Sequence, residues 1–256
     1  PIERGIVVIE EDKVSYAGAP EKWNSPQEAV IHEMDMTGKY ILPGLIDCHV
    51  HIAAECLPDS TMNGPWGWTS LIMLKHAQNT LAAGITTIRD VGGRHHLEFS
   101  LRKAVEAGMF AAPRMSLAGK LLSITSTGTE WYDGMYREAD GVDEVRKAAR
   151  EQLKAGADLI KMLATGAVLA PGEKPGAAQF EMEEIRAAVV EAAKVGKIVA
   201  AHAHGIEGIR NAVEAGAKTI EHGTYLNQDP RVMEHMAKEE IFLVPTLKAG
   251  YDVIYG

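Results

Sequence analysis

Five times along this chain a segment of helical period closes on a small residue plus glycine, and a short apolar run follows. The instances are Leu81-Ala82-Ala83-Gly84 before Ile85-Thr86-Thr87-Ile88 and Val105-Glu106-Ala107-Gly108 before Arg114-Met115-Ser116-Leu117. The others are Leu153-Lys154-Ala155-Gly156 before Leu159-Ile160-Lys161-Met162, Ala193-Lys194-Val195-Gly196 before Ile198-Val199-Ala200-Ala201, and Val213-Glu214-Ala215-Gly216 before Thr219-Ile220-Glu221-His222. Glycine suits the left-handed position that ends a helix, where a Cβ is costly. Helices alternating with short buried strands predict βαβ units and a parallel sheet. Seven such strands can be placed: Leu45–His51, Ile85–Asp90, Arg114–Ala118, Leu159–Met162, Ile198–His202, Thr219–His222 and Phe242–Thr246. Polar residues gather at their C-terminal ends, where (β/α)8 barrels place active sites. A doubly wound open sheet competes, but the first strand has no Gly-rich phosphate turn after it.

The expected fold is therefore α/β, a (β/α)8 TIM-type barrel truncated before its eighth strand. Closure needs eight strands, and the sequence stops at Gly256 soon after the seventh. A longer natural protein is expected, with a start upstream of Pro1, since the chain does not open on Met. Before the barrel (44–256), residues 1–43 read as a small β-sandwich-like unit. Ile6-Val7-Val8-Ile9, a turn at Glu10–Lys13 and Val14–Gly18 form a hairpin, and the alternating run Val30–Met36 supplies a third strand.

Composition narrows the partners. Acidic residues outnumber basic ones 35 to 26, a net charge of −9, which argues against nucleic acid, whose binders carry a basic face. No apolar run is long enough to span a membrane. Two cysteines, Cys48 and Cys56, are too few for a disulfide scaffold and read as reduced thiols of a cytoplasmic protein, with the periplasm as the alternative. A small-molecule substrate is the expected partner, and an unpaired edge beside the seventh strand favours homo-oligomer formation.

The chemistry sits at the strand ends. In Gly44-Leu45-Ile46-Asp47-Cys48-His49-Val50-His51, residues two apart point the same way, so His49 and His51 project together into the barrel mouth. They read as a pair of metal ligands. Two buried histidines satisfied by hydrogen bonds are the bland alternative, although burying such rings without a partner is costly. The same alternation puts His202 and His204 on one face, and His222 ends a third strand. Lys161 interrupts an apolar strand, and a buried lysine needs a reason. Either its neutral amine takes up carbon dioxide as a carbamate, an anionic two-oxygen ligand, or it forms a buried ion pair with a carboxylate such as Asp90.

Ile41-Leu42-Pro43-Gly44-Leu45-Ile46-Asp47-Cys48-His49-Val50-His51, together with Gly156-Ala157-Asp158-Leu159-Ile160-Lys161, Ala201-His202-Ala203-His204-Gly205 and Thr219-Ile220-Glu221-His222-Gly223-Thr224, resembles the amidohydrolase superfamily over nearly the whole chain. The last three of these motifs look like its imidazolonepropionase-like and Xaa-Pro or Xaa-Arg dipeptidase-like branch. The resemblance implies two divalent metal ions, zinc by expectation, with His49 and His51 on one, His202 and His222 on the other, and carboxylated Lys161 between them. It favours His202 over His204 as the ligand. It implies metal-assisted hydrolysis of an amide bond in a dipeptide or N-acyl amino acid. The family's catalytic aspartate at the end of strand eight has no counterpart before Gly256.

Secondary candidates are His204 and Tyr225 for substrate contact, Asp90 as a support for Lys161, and Arg137, which either meets a substrate carboxylate or stays solvated. The loop Ser123–Gly141, with Trp131, Tyr132, Tyr136 and Arg137, and the segment Pro58–Trp68 are read as shaping the site. His32, His76, His95, His96 and His235 carry no motif and read as surface or structural. Two further readings remain: a mononuclear cyclic-amide hydrolase or deaminase with unmodified Lys161, and an inactive truncated barrel that persists as a folded module.

Overall fold

The computed structural model describes every residue except 1, 25, 27–29, 55–63, 131–132 and 256, and of 253 and 254 the backbone alone. Cys56, the stretch 58–63 and the aromatic pair Trp131 and Tyr132 thus lie outside the described residues. The chain divides into two compact units, Pro1–Pro43 and Gly44–Gly256.

In the first unit β1 (Ile6–Glu10) and β2 (Lys13–Gly18) form an antiparallel hairpin with a register shift between Val8 and Ile9. The expected third strand at Val30–Met36 does not form: residues 30–36 carry no strand, and Val30 and Met34 are largely exposed. Alternation alone cannot make a strand when no neighbouring backbone takes its hydrogen bonds. Among the described residues this unit is one two-stranded sheet, not a sandwich.

The second unit alternates strand and helix: β3 (Leu45–Val50), α1 (Trp66–Ala82), β4 (Ile85–Asp90), α2 (Leu97–Glu106), β5 (Arg114–Leu117), β6 (Leu121–Ser123), β7 (Tyr136–Glu138), α3 (Val142–Ala155), β8 (Leu159–Leu163), α4 (Met182–Ala193), β9 (Ile198–Ala203), α5 (Ile206–Ala215), β10 (Thr219–His222), α6 (Pro230–Lys238), β11 (Phe242–Val244) and α7 (Leu247–Tyr255). All seven expected strands are present. Among the described residues every pairing between these strands is parallel, with orders β3-β4-β5 and β11-β10-β9-β8-β6-β7. The Asp158 amide donates to the Leu117 carbonyl at 2.7 Å and links the two groups. The stretch expected as a long loop, Ser123–Gly141, contains β7, which pairs with β6.

The glycines that close the five helical repeats all take positive φ, reaching 103° at Gly156 and 97° at Gly216. Each chain reversal is thereby compatible with a strand starting two or three residues later in most repeats. Strand alternation then sorts the side chains. Ile160 and Met162 of β8, Val199, Ala201 and Ala203 of β9, and Ile220 of β10 join the core shared with Ile185 of α4 and Ile209 of α5. Leu159 and Ala200 instead pack with Val91 and Ala118, inside the curve of the sheet. Lys161 and His202 share that inward face. Arg89 on β4 reaches Thr219 and Glu221 on β10, so strands of the two sheets are joined by side chains on this inward face.

Candidate metal centre

Five imidazoles meet at this inward face. Ring centroids lie 5.3 Å apart for His49 and His51, 4.9 Å for His49 and His222, 4.6 Å for His202 and His222, and 4.7 Å for His202 and His204. The rings of His204 and His222 stack at 4.8 Å. Ligand atoms of His202, His204 and His222 lie within 4.8 Å of one another. Each ring is fixed through one nitrogen. His49 donates Nδ1–H to the Glu221 carboxylate at 2.8 Å, His51 donates Nδ1–H to the Gly92 carbonyl at 3.1 Å, and His202 donates Nε2–H to the Gly166 carbonyl at 3.1 Å. The Nδ1 atoms of His204 and His222 pair with the hydroxyls of Thr224 and Thr246, both at 2.6 Å. Among the described residues the second nitrogen of each ring has no hydrogen bond, and His204 Nε2 is a fully buried polar atom without a partner. A ring held through one nitrogen with the other free is the arrangement of a metal-ligating histidine.

The backbone contributes. His222 sits at φ 71° and Thr246 at φ 46°, a conformation that non-glycine residues hold only when their surroundings impose it. The hydrogen bond between their side chains ties these two strained positions together. Asp90, at the end of β4, accepts from the amides of Ile52 and Gly92 at 2.8 and 2.9 Å. It therefore pins the turns that follow both β3 and β4, next to His51 and to the carbonyl that holds it.

Lys161 is among the largest fully buried side chains of the described residues. Among the described residues no carboxylate lies within 4.0 Å of its Nζ, and Asp90 is engaged by backbone amides, so the buried ion pair with Asp90 is absent. Burial draws the Lys161 ammonium down to about 8, against smaller opposing attraction from Glu221. Burial first, then the Lys161 charge, lowers His51 to about 4 and also depresses His49, His204 and His222. His202 falls well below its ordinary value, through burial and the charges of His222 and His204. Imidazoles so depressed are neutral at pH 7 and have lone pairs to offer a cation. Burial also lifts Asp90 to about 6.

The donor set therefore fits divalent metal: several neutral nitrogens on rigid strand ends, a buried orphan nitrogen, and an amine poised to lose its proton. A model matching the amidohydrolase family covers residues 40–253.

The chain belongs to the amidohydrolase family. It is 29% identical to ochratoxinase of Aspergillus niger, over 96% of this chain and 55% of that protein. A solved prolidase complexed with N-methylphosphonate-L-proline superposes with a TM-score of 0.82 at 32% identity, covering 98% of this chain and 64% of that one. A solved Xaa-Pro dipeptidase with methionine in its active site gives 0.76 and 31%, over 96% and 63%. The chain thus spans between about half and two thirds of the length of these relatives.

Of the residues expected at the site, the structure brings together His49, His51, Lys161, His202, His204 and His222. Tyr225 is adjacent, its amide donating to the His204 carbonyl at 3.0 Å and its side chain half exposed. Arg137 is not brought to the cluster. Its Nε pairs with Glu151 of α3 at 2.7 Å and a guanidinium N–H contacts the Glu138 carbonyl, so its charge is already matched away from the cluster. His95 and His96 are more than surface residues. Both take positive φ, His95 stacks on Trp66 and bonds Asp133, and His96 bonds the buried Gln152. His76 holds the Ile52 carbonyl at 3.0 Å. Sequence reasoning passed over Glu221 and Arg89. The available signal was a glutamate directly before a strand-end histidine, on a strand too short to hide a charge without a partner.

Proposed function

We propose that this chain is the metal-binding part of an enzyme that hydrolyses the amide bond of a dipeptide or N-acyl amino acid. In this reading His49 with His51 would hold one zinc ion, His202 with His222 would hold a second, and Lys161, as its carbamate, would serve as a ligand to both. The single observation that carries it is the set of five imidazoles, each anchored through one nitrogen and with no hydrogen bond at the other among the described residues, around a buried lysine that pairs with no described carboxylate. The solved prolidase and Xaa-Pro dipeptidase relatives support the substrate class.

Bound zinc supplies Lewis acidity and lowers the pKa of water from ~16 to roughly 7. The remaining work is done by the chain. Neutral imidazoles coordinate without first releasing a proton. With its ammonium drawn down to about 8, Lys161 has a larger neutral fraction near pH 7 than a free lysine, and that fraction can add to carbon dioxide, forming an N–C bond as one C=O π bond opens and one proton is released. Gly92, Gly166, Thr224, Thr246 and Glu221 hold the rings so that binding metal costs little reorganisation. Tyr225, at the mouth beside His204, orients the substrate carbonyl.

The test uses the natural full-length protein loaded with zinc against Xaa-Pro dipeptides, Xaa-Arg dipeptides and N-acyl amino acids. Hydrolysis that chelation abolishes and zinc restores is expected; no turnover of any of these classes would remove the reading. A second reading, one ion on His202, His204 and His222 with Lys161 unmodified, is favoured by the close approach of those three rings. Carbon-13 NMR after loading with labelled bicarbonate separates the two, because only the first predicts a carbamate signal that Lys161→Ala loses.

A further inference from the structure

Glu221 is fully buried on β10 and collects three side chains. It accepts from Arg89 Nη2 at 2.7 and 2.9 Å, from Thr219 Oγ1 at 2.5 Å and from His49 Nδ1 at 2.8 Å. Arg89 in turn donates from Nε to the Cys48 carbonyl of β3 at 2.6 Å and from Nη1 to Thr219 Oγ1 at 3.0 Å. The group therefore spans β3, β4 and β10, of which β3 and β10 share no backbone pairing. A buried ion pair of this kind is a poor source of stability, because desolvation offsets the attraction. Its geometry instead defines one thing sharply: a carboxylate can only accept, so the hydrogen of His49 sits on Nδ1 and Nε2 carries the lone pair.

We propose that Glu221 is a positioning residue for metal binding: it fixes the tautomer and orientation of His49, and Arg89 holds its carboxylate in place from β4. The inference rests on His49 being a metal ligand, as proposed above. In Glu221→Gln the amide oxygen is drawn to Arg89, which leaves the amide NH2 to face His49 and favours the wrong tautomer.

The test is zinc affinity by chelator competition in the natural full-length protein and in Glu221→Gln, His49→Ala and the double variant. Glu221→Gln should weaken one zinc site by roughly 10–100-fold. His49→Ala should weaken it at least as much, and the double variant should bind no worse than His49→Ala alone. Wild-type affinity in Glu221→Gln, or further weakening in the double variant, would overturn the positioning role while leaving the metal centre intact. Unchanged zinc binding in His49→Ala would remove the metal-centre reading itself and the role with it. If Glu221→Gln does not fold, nitrogen-15 NMR of the metal-free wild type decides: hydrogen on His49 Nδ1 supports the role, and hydrogen on Nε2 overturns it.

Discussion

Every residue of β8 is buried, and β9 and β10 are nearly so, whereas β3 and β11, at the ends of their sheets, leave apolar side chains in solvent. Leu45 and Ile46 on β3 are 60% and 65% exposed, and Phe242 on β11 is 67% exposed. Both regions nevertheless feed one centre: Lys161, His202 and His222 come from the buried strands, His49 and His51 from the exposed one. The same geometric outcome is reached by two physical routes. On β8 to β10, packing on both faces leaves the side chains little rotamer choice, and the hydrogen bonds of His202 to Gly166 and of His222 to Thr246 add to it. On β3 packing is thinner, and polar cross-links do the positioning: Glu221 for His49, the Gly92 carbonyl for His51 and Asp90 for the turn after them.

This contrast can be broken most directly at its buried end. Lys161→Met should lower kcat/KM of the zinc-loaded natural protein about 1000-fold or more, about 4 kcal/mol of barrier, while raising the melting temperature of the metal-free form by removing a desolvated charge. Activity assays and thermal melts check both signs, and retained activity would show that the lysine is structural. Ile185→Ala, in the core behind β8 and β9, should cost roughly 2–5 kcal/mol in urea unfolding.

A pH series sharpens the same point. In the folded protein Lys161 titrates near 8, below its ordinary 10.5. Between those values the unfolded chain holds a proton that the folded chain has released, so this lysine makes metal-free stability rise with pH across that window. Below pH 8 both states are protonated and the burial penalty is at full size, on the order of 3 kcal/mol. Unfolding free energies at pH 7 and pH 10 should show the rise in the wild type and lose it in Lys161→Met. The smallest effect belongs to the exposed end: Leu45→Ala should stay within about 0.5 kcal/mol of wild type. A cost comparable to that of Ile185→Ala would erase the distinction between the two regions.

The parts legible in the sequence were those set by local rules. Glycine after five of the helices, alternation along β8 and β9, and the paired histidines at 49/51 and 202/204 follow from chain geometry within a few residues, and the structure reproduces them. What depended on distant partners was not legible. Val30–Met36 alternates like a strand but has no ladder to join. Tyr136–Glu138 forms a strand only because Leu121–Ser123 lies beside it. The contact of Glu221 with His49 joins positions 172 residues apart, and Arg137 looked free until Glu151 came within 2.7 Å. A sequence shows a charge more readily than the charge that answers it.

The central claim is that strands from both regions deliver their side chains to a common cation. Anomalous diffraction at the zinc edge from crystals of the zinc-loaded natural protein tests it most directly. Two peaks are predicted, one about 2.0–2.1 Å from Nε2 of His49 and His51 and the other at the same distance from ring nitrogens of His202 and His222, with density extending Lys161 between them. No peak within coordination reach of any of these rings would contradict the account.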